Sequence, residues 1–288
     1  MERAPKVCIL CGAQERELLI EKDSWKIYRC HKCGLGFLDP RPSQEEIEHL
    51  YRDEYFSERY DEGLDPNSAE FQKRLRSEKH RVRFIKKVKQ DGQVLDIGCG
   101  YGYFLAACRN EGFEVSGVDV SGWATQYAIE RLGIPVRLGK VGDLTLPSHH
   151  FDIITMWHSL EHTPDPHLAL QVVKSCLKPD GILAIDVPTY KGTDAQRMWQ
   201  EWDGWSVPYH FWHFTSRTLV QFLGKYGFTV IKSKDYHSSV IKEKWGRIVI
   251  LKPFARLIAK MYSGHSIALI ARLDEKMKAH RSSETYVR

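Results

Sequence analysis

The sequence predicts an α/β protein: one seven-stranded, mostly parallel sheet with helices on both faces, preceded by a small metal-stapled ribbon. Two patterns carry this expectation. From Gln93 onward, short apolar runs alternate with helix-length segments, the order that builds βα units on a parallel sheet. Ahead of them, four of the seven cysteines fall between Cys8 and Cys33. The 42% apolar and 27% charged composition suits a packed core with a wetted surface.

The cysteines stand as Cys8-x-x-Cys11 and Cys30-x-x-Cys33, with eighteen residues between the pairs. This spacing reads as a closed four-thiolate zinc site, structural rather than catalytic, with a hairpin of "ELLI" and "KIYRC" around Lys22-Asp23-Ser24. So short a segment has little apolar surface, and the metal supplies its folding energy. After the turn-rich "LDPRPS", Ser43 followed by acids opens a helix. Residues 61–70 read as a loop. "FQKRLRSEKHRVRFIKKVKQ" spaces Phe71, Leu75, Val82, Phe84, Ile85 and Val88 helically among nine lysines and arginines, a solvated face or a phosphate grip.

The strands then follow as "VLDIG", "EVSGVDV", "PVRLG", "FDIITMW", "GILAIDVP", "FTVIKSKDY" and "SIALIARL". The helices between them include "YFLAACRNEG", "GWATQYAIERLG", "DPHLALQVVKSCLKPDG" and "SRTLVQFLGKYG". Ligands of such sheets bind beyond the carboxyl ends of the strands. That is where "DIGCGYG" falls. Gly98, Gly100 and Gly102 let a ligand approach the backbone at a helix start. The G-x-G-x-G spacing is not the dinucleotide pattern. Asp96 before it disfavours a phosphate and suits a cationic group. Asp119, ending the second strand, suits a ribose diol. S-adenosylmethionine, a nucleoside with a sulfonium tail, answers to both acids.

"VLDIGCGYGYFL", "VSGVDVS", "GDLTLP" and "FDIITMWHSLEHTPDP" resemble, in order and spacing, the successive motifs of class I S-adenosylmethionine-dependent methyltransferases, over about Asp91 to Leu273. The resemblance implies a Rossmann-like methyltransferase sheet. It also implies that Asp96 and the Gly98–Cys99–Gly100–Gly102 turn hold the methionine portion. Asp119 with Val120 would hold the ribose, and Asp143 with Leu144 would meet the adenine. Trp157 and His158 would lie beside the methionine and the acceptor. With the four-cysteine ribbon in front, the chain also resembles sugar C-methyltransferases and shorter relatives that modify cell-surface glycans and lipids. The implied plan is a ribbon over 1–40, a helical linker and cofactor lid over 41–90, the methyltransferase domain over 91–275, and a tail over 276–288. Tyr55 and Phe56 would reach over the cofactor.

Methyl transfer from a sulfonium is an in-line displacement, so the protein aligns the nucleophile and takes its proton. Candidate bases are His158, His162, His210 and His213, with Tyr209 beside them. The four-residue spacing of His158 and His162 also suits a metal, but no third ligand is evident from sequence. "RMWQEWDGWSVPYHFWHF" offers tryptophans that stack on an acceptor or bury themselves as a lid. Residues 244–262 mix apolar side chains with Lys244, Arg247, Lys252, Arg256 and Lys260. They suit an anionic membrane face, an oligomer contact or an ordinary surface helix broken at Pro253.

Without an apolar leader or an 18-residue apolar run, the expected location is the cytoplasm, at the inner membrane face if residues 244–262 dock there. The net charge of +5 is mild for a polyanion binder. The expected activity is methyl transfer to a small molecule: a sugar, a glycan or a lipid-linked acceptor. Two alternatives are an RNA methyltransferase that grips phosphates through residues 72–89 and a non-catalytic protein that keeps the cofactor fold as a scaffold.

Overall fold

The computed structural model describes residues 1–43, 45–47 and 64–274. Tyr55, Phe56, most of the helix expected after Ser43 and the tail over 276–288 lie outside the described residues. The opening of that helix is within them. The Ser43 hydroxyl and backbone N–H both donate to Glu46 Oε2, at 2.8 and 2.7 Å, and Glu46 N–H donates back to Ser43 Oγ at 3.3 Å, as in a capping box.

The N-terminal ribbon is the hairpin β1 (Arg16–Lys22) and β2 (Trp25–Cys30), followed by β3 (Gly36–Leu38). Asp23 and Ser24 turn it with φ of 49° and 67°, the left-handed pair a two-residue hairpin needs. The large sheet contains β4 (Gln93–Ile97), β5 (Glu114–Asp119), β6 (Val136–Leu138), β7 (Phe151–Trp157), β8 (Leu177–Pro188), β10 (Phe228–His237) and β11 (Ser263–Leu273). Its order is β10-β11-β8-β7-β4-β5-β6. All pairings are parallel except those of β11, which is antiparallel to both β8 and β10. Seven mostly parallel strands were expected, and the last one enters between its two predecessors as the antiparallel member.

Strand alternation divides the interior into two cores. Along β8, Leu183, Ile185 and Val187 point into one core, and Ile182 and Ala184 into the other. Both faces are covered, so these strands read as continuous apolar runs. Helix α1 (Ala69–Ile85) covers one face through Phe71, Leu75, Val82, Phe84 and Ile85. The next helices are α2 (Tyr103–Arg109), α3 (Gly122–Glu130), α4 (Pro166–Cys176), α5 (Thr193–Met198) and α6 (Ser216–Lys225). The segment read as helix through Gly181 stops at Cys176, and β8 begins at once. Pro179 is the reason: it cannot donate within a helix and disfavours helical backbone at the residue before it.

The ribbon is sewn to the large unit. β9 (Trp212–His213), from the tryptophan-rich segment, pairs with β3 in the register Gly36↔His213 and Phe37↔Trp212. Leu38 N–H donates to Phe211 O at 3.0 Å. Ile20, Ile27, Leu35, Phe37 and Leu38 share one continuous core with Leu183, Trp205 and Phe214. A hydrophobic residue count too small for an independent fold is thereby supplemented from the larger sheet.

Candidate active site

The carboxyl ends of β4, β5 and β7 open into a cavity of about 1180 Å³. Gly98, Cys99, Gly100, Asp119, Val120, Asp143, Trp157, His158, His162 and His210 line it together with Asp96. Among the expected site residues, Gly102, Leu144, Tyr209 and His213 do not. Gly102 is instead the left-handed N-cap of α2, at φ 77°, and a side chain there would press on Ala128.

The glycine turn has more than one physical origin. At Gly98, φ is 78° and a Cβ would lie 2.6 Å from Ser159 Oγ, so the close neighbour is the protein's own chain after β7. At Gly100, φ is 50° and a Cβ would meet nothing within 4 Å. That is the position where the backbone faces open cavity. Gly100 N–H donates to Asp119 Oδ2 at 2.7 Å, and Ser121 N–H donates to Oδ1 at 2.9 Å. Burial raises the Asp119 pKa, opposed by these backbone donors. Asp96 is buried at the floor of the cavity. Burial pushes it up to about 7, against the Thr155 hydroxyl, which donates to Oδ1 at 2.6 Å.

His158 ends β7 in left-handed backbone, φ 53°, an uncommon conformation for a residue with a Cβ. Its N–H donates to Asp186 O at 2.9 Å. The imidazole lies between two carboxylates, with Nδ1 3.3 Å from Glu161 Oε1 and Nε2 3.7 Å from Asp186 Oδ2. Burial works against its charged form, but Asp186 and Glu161 outweigh burial and raise its pKa. About a third of the side chain stays exposed. Tyr236 hydroxyl donates to Asp186 Oδ2 at 2.8 Å.

Among the described residues, Glu161 Oε1 and Oε2, Asp186 Oδ1 and Trp157 Nε1 are buried without a well-formed hydrogen bond. Such groups are costly unless a ligand completes them.

The other histidines differ. His210 Nδ1 faces Gly204 O at 2.9 Å, and burial with neighbouring His162 drives its pKa far down. Burial pushes His213 down to about 3, and it sits in the ribbon sheet. Glu161, His162 and His210 offer ligand atoms within 4.8 Å of one another. His158 is not part of this set, and the two residues that join His162, Glu161 and His210, were not legible in the spacing of His158 and His162.

Helix α1 contributes what the sequence missed. Arg74, Glu78 and Arg81 turn into the cavity lining, where Glu78 is 5% exposed and meets Arg74 at 3.2 Å and Arg81 at 2.9 Å. Their i, i+3 and i+4 spacing was readable, but nothing local distinguished them from the surface lysines. His265, from the start of β11, and Asp203 complete the rim.

The tryptophans take the self-burying alternative. Trp202, Trp205 and Trp212 are buried, and their indole N–H groups donate to His265 Nδ1, Trp199 O and Thr163 O at 3.1, 2.6 and 2.8 Å. None lines the cavity.

In the ribbon, Cys8 and Cys33 sulfurs lie 3.5 Å apart, as do those of Cys11 and Cys30, and all four lie within 4.8 Å of one another. Sulfur edges of a tetrahedral zinc site with ~2.3 Å bonds are about 3.8 Å long, so the donor set fits that ion.

Comparisons with known proteins agree with this geometry. Residues 68–233, more than half of the chain, match the family described as "Methyltransferase domain". The chain is similar to a ubiquinone biosynthesis O-methyltransferase from Haemophilus ducreyi, 40% identical over 101 residues, 32% of this chain and 43% of that protein. A protein of the same name from Coxiella burnetii is 36% identical over 110 residues, 36% and 47% of the two chains. The chain thus spans less than half the length of the curated relatives it matches. Among solved structures, a SAM dependent methyltransferase from Archaeoglobus fulgidus shares the fold at TM-score 0.52 and 24% identity, covering 69% of this chain and 93% of that one. An S-adenosylmethionine dependent methyltransferase from Mesorhizobium loti does so at 0.51 and 17%, covering 68% and 97%. Sheet order, glycine turn and family match converge: this chain belongs to the methyltransferase domain family.

Proposed function

We propose that the protein transfers a methyl group from S-adenosylmethionine to a hydroxyl-bearing small molecule: a sugar, a glycan or a lipid-linked acceptor. The observation that carries this reading is one cavity shared by the Gly100–Asp119 ledge and His158. Asp96, Gly98, Cys99, Gly100, Asp119, Val120 and Asp143 would hold the cofactor, which supplies an electrophilic methyl group when bound. His158, oriented by Glu161 and Asp186, accepts the acceptor's proton as the oxygen attacks. The two carboxylates stabilise the imidazolium that results. The names of the O-methyltransferase relatives support a small-molecule acceptor. Cys8, Cys11, Cys30 and Cys33 hold a structural zinc ion in this proposal, which fixes β3 as the partner of β9.

The RNA alternative is disfavoured because Arg74 and Arg81, part of its phosphate grip, are committed to buried Glu78. The test is incubation of the purified protein with methyl-labelled S-adenosylmethionine and a cell extract separated into RNA, protein, lipid and small polar fractions. Label in the lipid or polar fraction is expected. Label confined to RNA refutes the reading, and cofactor binding with no label in any fraction favours the scaffold alternative.

A further inference from the structure

Residues 238–262 join β10 to β11 and form an insert that the βα repeat does not require. Ser238 caps α7 (Ser239–Gly246), its Oγ accepting from Ile241 N–H at 3.0 Å. Ser239 donates to Asp194 Oδ2 through its N–H at 3.0 Å and its hydroxyl at 2.9 Å. Asp194 belongs to α5 (Thr193–Met198), which follows β8, so the insert is anchored to the large unit. The chain then winds as a 3-10 helix over Val249–Phe254 and as an α-helix, α8, over Ala255–Ala259. Pro253 lies inside the 3-10 helix, and regular α-helix begins only two residues after it, so the stretch is not one continuous α-helix, in line with the break expected at Pro253.

The insert is amphipathic in the inverted sense. Ala255 and Ala259 face inward and are buried. Ile250, Phe254, Leu257 and Met261, spaced by four, three and four residues, are 83%, 55%, 64% and 79% exposed. Ile250 and Phe254 lie in the 3-10 helix, Leu257 in α8 and Met261 in the turn just after it, so the four form an exposed apolar set strung along the insert. Lys252, Arg256 and Lys260, interspersed among them, are exposed as well. Among the described residues no carboxylate pairs with these three cations.

We propose that this face docks on the surface of an anionic membrane. Exposed apolar side chains interspersed with cations match an interfacial helix, whose apolar residues enter the acyl boundary while lysines and arginines meet anionic headgroups. A second copy is a poorer occupant, because a two-fold contact sets each surface against itself and would bring the cations together. Protein interface cores are also depleted in lysine.

Topology gives the docking a consequence. β10 is antiparallel to β11, which is antiparallel to β8, so β10 runs parallel to β8 and the insert leaves from the sheet's carboxyl edge. The cavity opens along that same edge, where Pro188 and His265 line it. A seated insert holds the cavity rim toward the lipid surface, within reach of an acceptor embedded there.

The test is sedimentation of the full chain with vesicles of phosphatidylcholine alone or with added phosphatidylglycerol. Binding is expected only with the anionic lipid and weakens as salt rises. Replacing Lys252, Arg256 and Lys260 together by Ala lowers partitioning about 100-fold, from roughly a fivefold contribution by each cation. Leu257→Glu with Met261→Glu abolishes it even at low salt, separating apolar insertion from charge attraction. All five positions are exposed, so unfolding is not expected, and an unchanged thermal midpoint checks this. Absence of vesicle binding, or equal binding by both variants, overturns the proposal. So does a self-association of the wild-type chain that Leu257→Glu with Met261→Glu dissolves, or retention on polyglutamate with none on vesicles.

Discussion

Gly117→Ala tests whether the glycine turn is held in place from below. Gly117 lies in β5, and a Cβ built there falls 2.5 Å from Cys99 Sγ, 3.1 Å from Cys99 Cβ and 3.0 Å from Leu105 Cδ1. Non-bonded heavy atoms rest at about 3.5–4.0 Å, so the sulfur must retreat by about 1 Å. It has little room. Cys99 is buried, and the N–H groups of Gly98 and Cys99 both donate to Val118 O, at 2.8 and 3.2 Å. Overpacking of this kind costs about 1–3 kcal/mol. At about 2 kcal/mol, the thermal midpoint of a chain this size falls by roughly 3–4 °C.

Removal of the sulfur relieves the clash in part. Cys99→Ala alone costs about 1 kcal/mol as a small cavity, whereas the double variant is more stable than the sum of the two losses by about 1 kcal/mol. Rescue stays incomplete because the Cβ and Leu105 contacts remain. Denaturant unfolding of the four proteins measures the cycle. Losses that add to within about 0.3–0.5 kcal/mol refute the steric argument.

Three further outcomes follow from the site and the ribbon. Asp119→Ala weakens S-adenosylmethionine binding about 10- to 100-fold by calorimetry, from the loss of charge-assisted hydrogen bonds; unchanged affinity removes Asp119 from the cofactor site. The acid limb of kcat/KM lies above the ordinary imidazole value of 6.5, because His158 has a raised pKa and must be neutral to accept a proton. Activity therefore rises with pH through that limb, and Asp186→Asn, by removing the favourable charge, shifts the limb to lower pH. A limb that stays put assigns it to another group. Metal analysis finds one zinc ion per chain, and Cys30→Ser loses it and lowers the midpoint of a single unfolding transition, since the ribbon shares its core with the large sheet. Two separate transitions would show that the ribbon is energetically independent.

Local pattern was enough for the strands, the glycine turn and the four-cysteine knuckles. Apolar runs of strand length, obligatory positive φ at Gly98 and Gly100, and the two Cys-x-x-Cys pairs each act within a few residues of chain, so each leaves a mark in the sequence. The neighbours of His158 do not. Glu161 sits three residues away, but Asp186 arrives from the adjacent strand, Arg81 from a helix more than seventy residues upstream and His265 from the last strand. Nothing in "FQKRLRSEKHRVRFIKKVKQ" marks Arg74 and Arg81 as different from the lysines beside them. Only the angle at which α1 lies on the sheet turns Glu78 inward and draws them after it. The pairing of β3 with β9, the burial of the tryptophans and the shared rim of cavity and insert have the same origin. Sequence alone determined which segments form and where the chain turns, because backbone sterics and apolar periodicity are local. Which side chains meet was decided only by packing of the two sheets, because charge and burial act through space between residues that are distant along the chain.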